Sequence, residues 1–326
     1  MKAIVATKYG SPDVLQLQEV EKPTPGDDRV LVKIRATSVN ALDWHLLRGK
    51  PFLVRFMGFG LMKPKRKVLG ADVAGIVEAV GKNVKRFHPG DEVFGNQLGC
   101  FAEYVSVRED GLALKPANLS FEAAAAVPVA AVTALQGLRK KGQLQPGQRV
   151  LILGASGGVG TFAVQIAKSL GAEVTAVCST RNMEKVRSLG ADWVIDYTKE
   201  DFTQKEQQYD LILVVNGRRS LSAYKHALRP NGRCVMIGGG SMAQLLGGRL
   251  AWPLISGGKG TKWAGVMADV THEELDFLKS LLEAGKVVPV VEKRYTLSQV
   301  PDAIRYLEAG HAQGKLVITM EAGTAT

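Results

Sequence analysis

Residues 149–182 read RVLILGASGGVGTFAVQIAKSLGAEVTAVCSTRN, and this stretch narrows the possible folds more than any other. An apolar run, RVLILG, meets a cluster of glycines; a helix-like stretch from Gly160 to Leu170 follows, then a second apolar run, AEVTAVCS. Short runs that are apolar throughout, rather than alternating, suit strands buried on both faces, and strands of that kind separated by helices form a parallel, doubly wound sheet. Within the cluster, Ala155, Gly157 and Gly160 stand at the spacing of a dinucleotide-binding turn, with alanine in the first place. Gly157 lets backbone N–H groups approach a pyrophosphate, and Gly160 lets the next helix close on the strand. The start of that helix offers unpaired N–H donors and the positive end of its dipole.

The surrounding text sets the frame. A chain of 326 residues is long enough for two domains, and 46% hydrophobic with 22% charged residues is a globular composition. No apolar stretch approaches the roughly 20 residues that a membrane helix needs, and MKAIVATKYG is too short an apolar start for a signal peptide and reads as a first strand, so cytoplasmic residence is expected. Cys100, Cys178 and Cys234 are far apart, form no CxxC, and read as buried small hydrophobes. The net charge of +11 raises nucleic acid or an anionic ligand as a partner, but the densest basic run, Lys63 to Lys67, has no interleaved aromatics and sits in a loop, which argues against nucleic acid.

Three zones follow one another. Residues 1–117 alternate or run apolar between turns such as PTPGDD and HPGDEVFG, as in a compact β-rich domain. Residues 120–260 change to strand, helix, strand, with RVLILG, AEVTAVCS, DWVIDY, DLILVVNG and RCVMIGGG as the strands. After residue 264 come a helix (THEELDFLKSLLEAG), a strand, a second helix and the closing strand KLVITM.

The end of the second strand of the middle zone bears on which nucleotide is taken. An NAD site places a carboxylate there for the ribose 2′-hydroxyl. Here the strand ends VCSTRN, with Ser179 and Arg181 and no acid, and Lys185 one helical turn on. A hydroxyl and a guanidinium suit a 2′-phosphate, so the residues favour NADPH. A P-loop is excluded because GxxxxGK[ST] does not occur, and a short-chain dehydrogenase because no tyrosine has lysine four positions on.

Across nearly its full length the chain resembles the medium-chain dehydrogenase/reductase superfamily, specifically its zinc-free quinone oxidoreductase (zeta-crystallin-like) branch. KAIVATKYGSPDVLQLQEV resembles the first hairpin and VLVKIRATSVNALDWHLLRG the active-site segment. VLGADVAGIVEAVGKNVKRFHPGDEVFG is similar to the glycine-rich core signature, VPVAAVTALQGL to the helix leading into the cofactor domain, and GKLVI to the C-terminal motif. The resemblance implies an α/β chain with a GroES-like β-rich catalytic domain from residues 1–119 and 265–326, around a Rossmann NADPH-binding domain over 120–264. It implies an active site in the cleft between them and a homodimer. Zinc-dependent relatives carry Cys in the segment occupied here by SVNALDW and Gly-His-Glu where this chain has Gly70-Ala71-Asp72, so no zinc is expected. Hydride transfer without a Lewis acid needs a substrate that is already electrophilic. The expected reaction is NADPH-dependent reduction of quinones or α,β-unsaturated carbonyls. Two alternatives stay open: an enoyl-thioester reductase, with Lys63, Lys65 and Arg66 gripping a phosphorylated carrier, and a non-catalytic NADPH-binding sensor or scaffold.

The same resemblance assigns residues. Asn40 lies by the nicotinamide and the substrate carbonyl, and Asp43 orients its neighbours. His45 stands where relatives often have tyrosine, and its imidazole can donate a proton to the reduced product. Ser156, Gly157, Gly158 and Val159 fall at the pyrophosphate, Ser179 and Arg181 at the 2′-phosphate, Tyr197 beside the adenosine, and Thr133 near the nicotinamide amide. Gly238, which begins the loop after the fifth strand of that domain, and Lys315, at the C-terminal basic position, are likewise assigned to the cofactor. From their composition, two segments rich in Phe, Met, Gly and Trp, containing Phe52 and Phe56 in one and Trp252 in the other, are read as walls of a substrate pocket or, alternatively, as an interface or membrane-touching patch.

Overall fold

The computed structural model describes residues 1–50, 52, 55–56, 60–204, 208–217, 219–237 and 260–320. The chain divides into two compact units: Met1–Ala130 with Val270–Glu283 and Pro289–Thr326, and Ala131–Asp269 with Ala284–Val288. In chain order, β1 (Lys2–Ala6) and β2 (Leu15–Glu19) form an antiparallel hairpin. The long β3 (Arg29–Val39) runs into α1 (Ala41–Arg48), and β4 (Asp72–Val80), β5 (Glu92–Asn96), β6 (Tyr104–Arg108), β7 (Leu112–Leu114) and the short α2 (Phe121–Ala125) follow. Helix α3 (Pro128–Leu135) leads to β8 (Arg149–Leu153), α4 (Gly158–Ser169), β9 (Glu173–Cys178), α5 (Met183–Ser188), β10 (Trp193–Asp196), β11 (Tyr209–Val214), α6 (Leu221–Ala227), β12 (Leu228–Ile237) and β13 (Lys262–Val266). The chain ends with α7 (His272–Glu283), β14 (Val291–Thr296), α8 (Val300–Glu308) and β15 (Lys315–Thr319).

The first unit is built on a sheet in the order β14-β15-β3-β4-β5-β7, with β6 also paired to β3. The last strand therefore inserts beside the third. β15 pairs antiparallel with β3, Leu316 opposite Val39, and this register delivers Lys315 to the end of β3 from which α1 departs. Ile4, Leu46, Leu47, Phe101, Ile304 and Ile318 pack in one core of this unit, and Val30, Val32, Val73 and Val93 in another. The apolar runs of the sequence thus close over the sheet's faces, which supplies the dominant favourable term in folding.

The second unit is an all-parallel sheet in the order β10-β9-β8-β11-β12-β13. Val150, Leu151, Ile152, Val174, Ala176, Ile212, Leu213 and Val235 are all buried, as continuous apolar strands covered on both faces must be. This is the doubly wound order with its reversal between β8 and β11, the place where such sheets leave a crevice at the carboxyl ends of their strands.

Candidate functional site

In the second unit the register gathers the sequence-selected residues at one edge. β8 and β9 pair with Leu153 opposite Val177, and β9 and β10 with Cys178 opposite Asp196. The Ala155 N–H bonds to Val177 O at 3.2 Å and the Tyr197 N–H to Cys178 O at 3.1 Å, so the glycine turn, Ser179 and Tyr197 follow neighbouring strands at their carboxyl ends. Gly154 turns there with φ +78°, where a Cβ would strike Asn216, and L side chains rarely adopt that conformation. A Cβ on Gly160 would lie 2.1 Å from Gly154 O, whereas one on Gly157 would meet nothing closer than 3.7 Å. Gly160 therefore lets α4 close on the turn, and Gly157 leaves its outer face open. Ser156, Gly157, Gly158 and Val159 are all partly exposed, no side chain caps α4, and its first turn carries no acidic residue. The Thr161 N–H bonds back to Gly157 O at 2.9 Å, and a helix start of this kind leaves the N–H groups before it as donors.

Beyond β9, Ser179 Oγ accepts from Asn182 Nδ2 at 3.1 Å. Arg181 is exposed, and no carboxylate among the described residues pairs with it. Tyr197 is 58% exposed. The nearby Asp196 carboxylate is already taken up by the Thr180 and Thr198 hydroxyls and the Thr198 N–H, which hold it below the usual aspartate range. Thr133 is buried within α3. Gly238 and Trp252 lie outside the described residues.

In the first unit a buried polar network has formed where β3 hands over to α1. Asn40 is the N-cap of α1, and the Asp43 carboxylate reaches back to the Asn40 N–H at 2.7 Å, one half of a capping box. Its other oxygen accepts the Gly70 N–H at 3.0 Å. Full burial, partly offset by these two N–H bonds, raises the Asp43 carboxyl from 3.8 to about 7, with the nearby Asp72 adding to the rise and Lys315 opposing it.

Both ends of the Asn40 carboxamide are occupied. Nδ2 donates to Asp72 Oδ2 at 2.8 Å, and Oδ1 accepts from Lys315 Nζ at 2.6 Å. Lys315 also reaches Val39 O at 3.3 Å and Asp72 Oδ2 at 3.4 Å. Ser38 Oγ donates to the same Asp72 oxygen, and the Val129 N–H takes the other at 2.8 Å. Asp72 is 0% exposed, Lys315 3% and Asn40 7%, so each charge faces its partner with little help from water. Asp72 and Ser38 are site residues that the sequence did not single out; the signal was an aspartate inside the otherwise apolar run GADVAGIV. Lys315, expected at the cofactor, is placed against Asn40 and Asp72.

His45, in the fifth position of α1, stacks on Trp44 with centroids 3.6 Å apart. Its Nδ1 is 2.9 Å from the Lys50 carbonyl, an acceptor only, so Nδ1 carries the proton and Nε2 of the neutral ring is an acceptor. Burial lowers the His45 pKa. Phe52 and Phe56 meet edge to face at 5.4 Å and are 57% and 63% exposed. Cys100 donates its thiol to Gln97 O, and burial raises its pKa.

A parallel sheet with an open glycine turn and a basic strand end, joined in one chain to a β-rich unit with a buried Asn–Asp–Lys network, defines a two-unit α/β protein of nucleotide-dependent redox type. Residues 26–117 match the family described as alcohol dehydrogenase GroES-like domain, and residues 189–318 match the one described as zinc-binding dehydrogenase. The chain is 39% identical to a 2-methylene-furan-3-one reductase of Solanum lycopersicum and 36% identical to an NADPH-dependent alkenal/one oxidoreductase, chloroplastic, of Arabidopsis thaliana; each alignment covers 98% of this chain and 79% of the relative. The solved quinone oxidoreductase of Coxiella burnetii superposes with a TM-score of 0.87 at 30% identity, over 98% of this chain and 99% of that one. The chain belongs to the medium-chain dehydrogenase/reductase superfamily, in its quinone oxidoreductase family, and it is an oxidoreductase with GroES-like and Rossmann-type domains.

Proposed function

We propose that this protein reduces quinones and α,β-unsaturated carbonyls with NADPH and without zinc, the first unit holding the catalytic groups and the second the cofactor. The observation that carries the cofactor choice is the end of β9, where Arg181 is exposed with no carboxylate partner among the described residues and the nearby Asp196 is engaged elsewhere. The named relatives support the substrate class: one is called a 2-methylene-furan-3-one reductase, another an NADPH-dependent alkenal/one oxidoreductase.

The fit to the cofactor rests on the open turn. Ser156, Gly158 and Val159 offer backbone N–H groups to the pyrophosphate, and Gly157, whose own N–H bonds Gly154 O at 3.3 Å, leaves the approach open; Ser179 and Arg181 take the 2′-phosphate, and Tyr197 flanks the adenosine. When bound, the reduced nicotinamide supplies the hydride. Asn40 presents its carboxamide in one fixed orientation. One Nδ2 hydrogen is committed to Asp72, and the other makes only a long 3.5 Å contact with Ser38 O, which a substrate carbonyl would displace to take that N–H. Asp43 positions the start of α1 and the Gly70 turn rather than moving a proton. His45 delivers a proton from Nε2 only in its protonated form, because Nδ1–H is spent on Lys50 O.

The zinc-free reading rests on donor chemistry. Both Asp72 oxygens are engaged and a lysine ammonium lies 3.4 Å from one of them, so a metal cation there would meet like charge. Cys100 donates its thiol to Gln97 O and is the lone cysteine of the first unit among the described residues, whereas a tetrahedral zinc site needs three or four soft protein ligands. Cytoplasmic residence and a homodimer belong to the same proposal; among the described residues no helix is long and apolar enough to cross a membrane. Light scattering at twice the 35.0 kDa of the chain supports the dimer, and scattering at the chain mass removes it.

The reaction is tested with an enone and NADPH deuterated at the transferring position. Deuterium at the β-carbon of a saturated ketone is the expected product. Deuterium on the carbonyl carbon of an allylic alcohol would contradict the reading, because it means that the carbonyl itself was polarised.

A further inference from the structure

A cavity of about 500 Å³ opens on the first unit, and none of the buried network and helix residues Asn40, Asp43, His45, Asp72 and Lys315 lines it. Its volume lies within the range of roughly 300–1,000 Å³ usual for small-molecule sites. The lining combines an apolar part, with Val20, Val68 and Leu98, and a charged part in which Arg29, Arg66 and Lys67 face one carboxylate, Glu21.

The cations are poorly compensated. Arg29 is half-buried at the start of β3, and among the described residues its guanidinium bonds neutral groups: Ser106 Oγ at 3.0 Å, Gln97 Oε1 at 3.0 Å and Ser106 O at 2.6 Å. Across the ladder its register partner is another arginine, Arg108. Burial, then repulsion from Arg108 and Arg66, lowers the Arg29 pKa. Among the described residues no carboxylate pairs with Arg29, Arg66, Lys67 or Arg108. Arg66, Lys67 and Arg108 are exposed and keep their water, but the half-buried Arg29 is partly desolvated with no anionic partner among the described residues, and a guanidinium matches carboxylate and phosphate in two-pronged bonds.

We propose that this cavity binds a small organic anion, a carboxylate or phosphate monoester with an apolar body. The acid group lies between Arg29 and Arg66, and the apolar body lies against Val20, Val68 and Leu98. The site is independent of the nucleotide edge of the second unit and of the reductase reading.

Isothermal titration of the full chain with octyl phosphate and with octanoate tests this, beside 1-octanol, at low and high salt, with and without saturating NADPH. One octyl phosphate or octanoate per chain is expected, with affinity that falls as salt rises and is unchanged by NADPH. The tighter of the two probes shows which acid group the site takes. The neutral octanol should not bind measurably. Arg66→Glu, on an exposed residue whose loss leaves the fold intact, should weaken binding by about tenfold or more, and Arg181→Ala should leave it unchanged. Absence of binding by both anions, equal binding by the Arg66→Glu protein, or displacement by NADPH would each overturn the proposal. Displacement would place the probe at the nucleotide site instead, and the failure of this site would leave turnover of quinones or enones untouched.

Discussion

The ammonium of Lys315 is the residue on which the first unit's buried network turns. It faces the Asn40 carboxamide oxygen and the Asp72 carboxylate, and Lys315→Met would leave a buried carboxylate whose cation has gone. Removing one partner of such a pair costs about 3–5 kcal/mol, so a marked fall in melting temperature is expected, with partial recovery in the Asp72→Leu/Lys315→Met double variant. An unchanged melting curve for the single variant would contradict this account. Asp43 offers a second reading at the same scale. Its folded pKa of about 7 lies above its ordinary 3.8, so between those values the native state holds a proton that the unfolded state has released. Stability should therefore decline as pH rises from about 4 to about 7, and Asp43→Asn should flatten that slope. A carboxyl carbon resonance of Asp43 titrating near 4 would refute it. At the other unit, Arg181→Ala should raise the Kd for NADPH by a factor corresponding to about 1.5–3 kcal/mol and leave NADH nearly unaffected. Equal losses for both nucleotides would mean that Arg181 does not meet the 2′-phosphate.

At the scale of elements, the turn between β8 and α4 was legible because its signals are local: strand, glycines and helix stand next to one another in sequence, and parallel pairing places Ser179 and Tyr197 beside them. Gly160→Ala tests this element. Its Cβ would lie 2.1 Å from a backbone oxygen, so the turn must shift; overpacking of this kind costs about 1–3 kcal/mol, and NADPH affinity should fall with stability. Native affinity in that variant would show that α4 does not depend on the close approach. The buried network was legible only in part. Asn40 and Asp43 could be picked out from one segment, but Asp72 and Lys315 are 243 residues apart and meet only because β15 pairs with β3. Periodicity marks β15 as a strand and says nothing about its neighbour, so the role of Lys315 came from the pairing. His45 was legible as a polar residue in the right helix, but not that Lys50 O fixes its tautomer.

For the whole molecule, apolar runs without alternation announced the parallel sheet; the rhythm of the sequence changes near residue 120, while the second compact unit begins at Ala131. The return of the C-terminal strand to the first sheet was not written in periodicity; it followed from the family resemblance and appears in the structure as β15 beside β3. The net charge of +11 says nothing of where cations gather; in the structure Arg181 is exposed just beyond β9, while Arg29, Arg66 and Lys67 line a cavity on the first unit. The central claim, a reductase of activated substrates that prefers NADPH, is tested most directly by following NADPH and NADH oxidation side by side against quinones, enones, enoyl thioesters and simple ketones. Turnover of quinones or enones with a clear preference for NADPH, and none of simple ketones, is expected. Tight NADPH binding with no turnover of any substrate, or equal use of the two nucleotides, would contradict it.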